Sequence, residues 1–111
     1  MGIHMKLFMN KNEKYEEPEV HMFFHKQTKE VEQVEKFVRS LSITIPAKYE
    51  DEIYKLYPTD IYYIETIDRR TYLYTASRVY ESSENLLSLE KLLEAAGFIR
   101  VRKNCIINKY K

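Results

Sequence analysis

The spacing of apolar residues changes period twice along the chain. Val31, Val34, Phe37, Val38 and Leu41 recur at intervals that place them on one face of a helix beginning at Thr28. Thr28 can cap its free amides, and Glu30 and Glu32 suit the positive end of its dipole. The pattern then shortens to strand-like runs at residues 42–47 (broken near Pro46), 52–57, 60–66, 71–75 and 78–81. Pro58-Thr59-Asp60 and Asp68-Arg69-Arg70 read as turns, so residues 61–74 form a hairpin with a charged tip. After Ser82 and Ser83 the helical period returns, with Leu86, Leu89, Leu92 and Leu93 as the apolar face. Gly97 is the residue suited to end that helix in a left-handed conformation, with Phe98 folded back on Leu93. Ile99 and Val101 then alternate with Arg100 and Arg102, a half-buried strand with a basic outer face, and Cys105-Ile106-Ile107 reads as buried. Ahead of the first helix, residues 10–19 read as a polar, acidic lead-in and residues 21–24 as a short strand. Residues 1–5 read as a tag-like start, with Met5 as the native first residue. The predicted order is one strand, a helix, five strands, a helix and two strands.

Composition bounds what such a chain can do. Its 111 residues make one domain, and 44% hydrophobic with 32% charged residues describes a folded, water-soluble body. Ten tyrosines favour a sheet. Two glycines are too few for a phosphate-cradling loop or a dinucleotide fingerprint, and a single cysteine makes neither a disulfide framework nor a thiolate zinc site. No apolar run suits a membrane span or a secretory signal, so a cytoplasmic protein is expected. The net charge of +1 conceals an asymmetry. Residues 98–111 hold Arg100, Arg102, Lys103, Lys109 and Lys111 and no acid.

The candidate chemistry is sparse. His21 and His25 flank a strand-like Met-Phe-Phe without other ligands nearby, which does not make a metal site. Cys105 precedes two isoleucines and reads as a buried thiol rather than a nucleophile. Asp60, Glu65 and Asp68 read as turn and edge carboxylates, not an acid–base pair. No catalysis and no cofactor are expected. Two basic clusters remain, Arg69-Arg70-Thr71 at the hairpin tip and Arg102-Lys103-Asn104 near the end. Either alone is an ordinary solvated surface. Together they supply guanidinium and ammonium groups for phosphates and an amide suited to an adenine edge.

The stretch Ile61-Tyr62-Tyr63-Ile64-Glu65 with its return strand Tyr72-Leu73-Tyr74-Thr75, and the leucine-rich helix leading into Phe98-Ile99-Arg100-Val101-Arg102-Lys103-Asn104-Cys105-Ile106-Ile107-Asn108, resemble the LytTR DNA-binding domain. That is the DNA-reading module of LytR/AlgR-type bacterial regulators. The resemblance covers residues 43–111. It implies an α+β, mostly β fold of stacked small antiparallel sheets with one covering helix, which contacts DNA through loops rather than a recognition helix. It places DNA contacts at Arg69, Arg70 and Thr71 and at Arg102, Lys103 and Asn104, beside Asp68. It gives Asn108 and Glu65 structural roles. Residues 1–42 resemble the strand-and-helix extension of short, receiver-free regulators. Family domains continue beyond the Asn108 position with further strands and a third contacting loop, so the resemblance implies either a chain truncated at its C-terminus or an open sheet edge paired with another copy.

The expected function is therefore a bacterial transcription regulator on duplex DNA with repeated half-sites. It acts as a homodimer, with the signal arriving through abundance, oligomerisation or a regulatory partner protein. The apolar face of the first helix offers core packing or self-association. A single-stranded RNA binder and a protein–protein interaction module are the alternatives. The first lacks the glycine-containing signature of aromatic-sheet RNA binders. The second would show no salt dependence toward nucleic acid.

Overall fold

The computed structural model describes residues 5–111. Its elements are α1 (Lys29–Ser40), β1 (Ile45–Tyr49), β2 (Glu52–Leu56), β3 (Ile61–Ile67), β4 (Arg70–Thr75), β5 (Val79–Ser82), α2 (Leu86–Leu93), β6 (Phe98–Arg102) and β7 (Cys105–Asn108). The architecture is α+β and mostly β. The seven strands join antiparallel in one sheet, ordered β2-β1-β5-β4-β3-β7-β6. The β1–β2 ribbon meets the remaining strands through a single paired position, Lys48 opposite Glu81, so the small sheets implied by the sequence are linked by a narrow seam.

Two of the hairpins turn on two residues with positive φ. Glu50 and Asp51 join β1 to β2, and Asp68 and Arg69 join β3 to β4. This backbone matches the right-handed twist of the flanking strands, although glycine and asparagine adopt it more cheaply. Pro46, expected to interrupt its strand, lies within β1. It is tolerated because β1 pairs with β5 only at Lys48.

The core lies on one face of the sheet, beneath α2. Ile45, Ile61, Ile64, Leu73 and Ile106 pack from the strands against Leu86, Leu89 and Leu93 of the helix. Leu92, expected on that apolar face, is exposed. Asn85 caps α2, accepting from the Ser88 amide at 2.8 Å. A 3₁₀ turn, Glu94–Ala96, follows, and Gly97 closes it at φ 92°. A Cβ at Gly97 would collide with the Tyr110 ring.

The first helix begins as expected, with the Val31 amide donating to the Thr28 hydroxyl at 3.3 Å. It sits lightly on the body. Val31 is buried, Val34 and Val38 are half-buried, and Phe37 and Leu41 are exposed. Lys109, following β7, holds Glu32 of α1 at 3.3 Å. Residues 21–24 do not form the expected strand. They carry no regular secondary structure, and Phe23 and Phe24 face solvent, because no partner strand among the described residues lies beside them to take up their backbone groups.

Candidate nucleic-acid interface

β3 is the shared strand of the site. It pairs with β4 on one side, down to Ile67 opposite Arg70, and with β7 on the other, down to Glu65 opposite Cys105. Both neighbours run antiparallel to it, so the β3–β4 and β6–β7 turns fall at the same end of the sheet. Asn104 fastens them together. The Thr66 amide donates to the Asn104 carbonyl at 2.9 Å, and the Asn104 side-chain amide donates to the Thr66 carbonyl at 3.3 Å. Residues 38 positions apart in sequence thus form one rim.

The side chains on that rim fall into three groups. Arg69 and Lys103 occupy the two tips, are exposed, and have no ion-pair partner among the described residues. Arg70 and Arg102 stand beside them, each loosely attended by a carboxylate, Glu81 at 3.9 Å and Glu65 at 3.7 Å. The two arginine side chains are 67% and 68% exposed, so these pairs are weak and a phosphate can displace the carboxylates. Thr71 faces the protein, whereas Asn104 is exposed and bonded back to the neighbouring tip. Thr71 is 5% exposed, with its hydroxyl 3.5 Å from that of Thr66, so it is withdrawn from the surface on which the resemblance placed it. The Asn104 amide nitrogen is engaged with the Thr66 carbonyl, and no hydrogen bond to its side-chain oxygen is made among the described residues.

Arg100, also in the basic stretch, is turned elsewhere. It reaches Glu90 of α2 at 3.1 Å and donates to the Lys103 carbonyl at 2.7 Å, tying the helix to the tip. Sequence reasoning could not separate this bracing arginine from its exposed neighbours, because the distinction depends on which face of β6 looks toward α2. The roles of Glu65 and Glu81 were hidden for the same reason, since their cations lie across strand pairs.

Behind the rim, on the outer face of the central strands, Tyr63 and Tyr74 stack at 4.1 Å between centroids. Burial first, and the Glu65 carboxylate second, hold the Tyr74 phenol above its ordinary range. At the opposite end of β3, Asn108 is buried. Its amide donates to the Pro58 and Ile61 carbonyls at 3.3 and 3.1 Å, and its oxygen accepts from the Tyr110 amide at 3.0 Å. Asn108 therefore locks the sheet rather than facing a ligand, as expected. Cys105 is buried within the sheet.

This rim sits on a sheet with known counterparts. Residues 51–111 match the family model of the LytTr DNA-binding domain, more than half of the chain, and the chain belongs to that family. It is 34% identical over 70 residues to the sensory transduction protein LytT of Enterococcus faecalis, an alignment that takes in 63% of this chain. The chain spans 29% of the length of that relative. Among solved structures it resembles a LytTr DNA-binding domain from Bacillus cereus, with a TM-score of 0.55 and 25% identity over 59% of this chain and 60% of that one. Among the described residues, no helix is long and apolar enough to cross a membrane.

Proposed function

We propose that the chain binds duplex DNA through the joined β3–β4 and β6–β7 tips, as the DNA-reading part of a cytoplasmic transcription regulator without catalytic activity. The observation that carries this reading is the clasp between Asn104 and Thr66, which gathers Arg69, Arg70, Arg102 and Lys103 on one rim. Arg69, Arg70 and Arg102 neutralise phosphates, which supplies affinity and register but no sequence information. Lys103, the most freely placed cation of the second tip, enters a groove, and the Asn104 oxygen is available to a base amino group. Thr71 supports the first tip from within and is withdrawn as a contact. Two copies engage repeated half-sites, and the signal reaches them through abundance, assembly or a partner protein.

Fluorescence anisotropy with the chain's own upstream region and with random duplex, over a range of salt concentrations, tests this. Three phosphate contacts in each copy predict a slope of log affinity against log salt of roughly −3 per bound copy. Equal weak binding to both duplexes would remove the sequence-specific claim. A slope near zero would remove DNA as the ligand.

A further inference from the structure

The β1–β2 ribbon carries two lysines that the rim does not use, and strand pairing fixes where they stand. Tyr72 lies opposite both Glu65 and Glu81, which places Glu81 on the outer face of the sheet. Lys48 of β1 is paired with Glu81 and shares that face. Lys55 of β2 is opposite Pro46, two positions along β1, so it shares the face as well. The alternation agrees, because Ile45, Ala47 and Leu56 are buried on the other side while Pro46, Lys48 and Lys55 are exposed. Direction follows from the same pairings. β5 runs toward the rim and β1 runs away from it, so the acidic turn at Glu50 and Asp51 points away and Lys55 stands toward the rim. Only one residue pair joins the ribbon to β5, yet side chains on the inner face hold it in place. The Tyr49 and Tyr54 rings pack against Tyr80 at 5.9 and 5.6 Å, and the Arg78 guanidinium lies 4.4 Å from the Tyr49 ring centre.

We propose that Lys48 and Lys55 form a second phosphate-binding edge, which holds the DNA backbone on the far side of the groove that the rim enters. Charge supports it. Lys55 has no ion-pair partner among the described residues. The ion pair of Lys48 is with Asp51 at 3.9 Å, with side chains 57% and 99% exposed, so a phosphate can replace that carboxylate. Glu81 stands between Lys48 and Arg70 and is already attended by Arg70, so this stretch of the face remains cationic. Spacing supports it too. From β4 to β2 there are three strand intervals, with β5 and β1 between them. At about 4.8 Å each these carry Lys55 about 14 Å from the Arg70 strand, close to the roughly 12 Å width of the major groove. The ribbon thus takes the backbone that borders the groove opposite the tips. It leaves Arg69, Arg102 and Lys103 uncovered and adds affinity and register without reading bases. The inference rests on the DNA reading of the rim and extends its contact surface.

Salt-dependent anisotropy of the full chain on duplex DNA tests it, comparing the wild type with a ribbon variant (Lys48→Gln with Lys55→Gln) and a control of equal charge change on α1 (Lys29→Gln with Lys36→Gln). Five phosphate contacts in each copy predict a wild-type slope of about −4.5 per bound copy, and the ribbon variant is expected to return it to about −3. Its affinity should fall by the same factor on the upstream region and on random duplex, because phosphates carry no sequence. The control should keep the wild-type slope, since α1 packs at the opposite end of the sheet, where Glu32 meets Lys109. Hydroxyl-radical footprinting should show the ribbon variant losing protection along one edge of the wild-type footprint. Both lysines are exposed, and circular dichroism checks that the variants are folded. A ribbon variant with the wild-type slope and footprint overturns this inference and leaves the rim reading intact. A control that flattens the slope as much as the ribbon variant also overturns it, because net charge would then explain the effect. A wild-type slope near zero removes both readings.

Discussion

Asn104 holds Thr66 by both main chain and side chain, and this clasp unites two tips that the sequence separates by nearly forty residues. Asn104→Ala keeps the backbone bond and loses the amide bond. The expected cost in stability is small, about 0.5–1.5 kcal/mol by urea titration, as for one exposed hydrogen bond. DNA affinity should fall by more than that, because the two tips lose their fixed spacing. Affinity unchanged within error would mean that the tips act independently.

Arg69 sits at φ 68°, a backbone region that glycine adopts at lower cost. Arg69→Gly is expected to stabilise the hairpin by about 0.5–1 kcal/mol and raise the melting temperature, while weakening DNA binding and flattening its salt slope by about one unit. Opposite signs for stability and binding would identify a residue retained for its charge against the preference of its turn. A loss of stability would refute that.

Gly97 shows the reverse case, in which backbone and space both demand glycine. At φ 92° with the Tyr110 ring over the missing Cβ, Gly97→Ala is expected to cost about 2 kcal/mol or more in thermal or urea unfolding. The same substitution made with Tyr110→Ala should recover the steric part and leave the conformational part.

The alkaline limb of stability should report on Tyr74. Its folded pKa lies above the ordinary 10.0 through burial and then the Glu65 carboxylate, so the neutral phenol is the form the fold favours. The stabilisation is fully present below pH 10.0 and is lost as pH rises through the folded value. Tyr74→Phe keeps a ring against Tyr63 and should flatten that loss in melting scans from pH 8 to 11, leaving neutral stability little changed. An identical alkaline slope in both proteins would assign the loss to other groups.

The sequence by itself determined much of the architecture. The 3,3,1,3 spacing marked α1, the leucines marked α2, Gly97 marked its end, and alternating β-branched and aromatic residues marked the strands, because these signals arise from side-chain period and local backbone preference. The two basic clusters were equally visible, since charge is carried by residue type. Tertiary structure decided what the clusters are. It brought them to one rim through β3, buried Thr71, turned Arg100 toward Glu90 and locked Asn104 onto Thr66, all of which depend on pairings between distant segments. It also decided the fate of residues 21–24, whose strand-like pattern found no strand to pair with. A strand, unlike a helix, cannot satisfy its own backbone, so its pattern shows what it can join but not whether a partner is present.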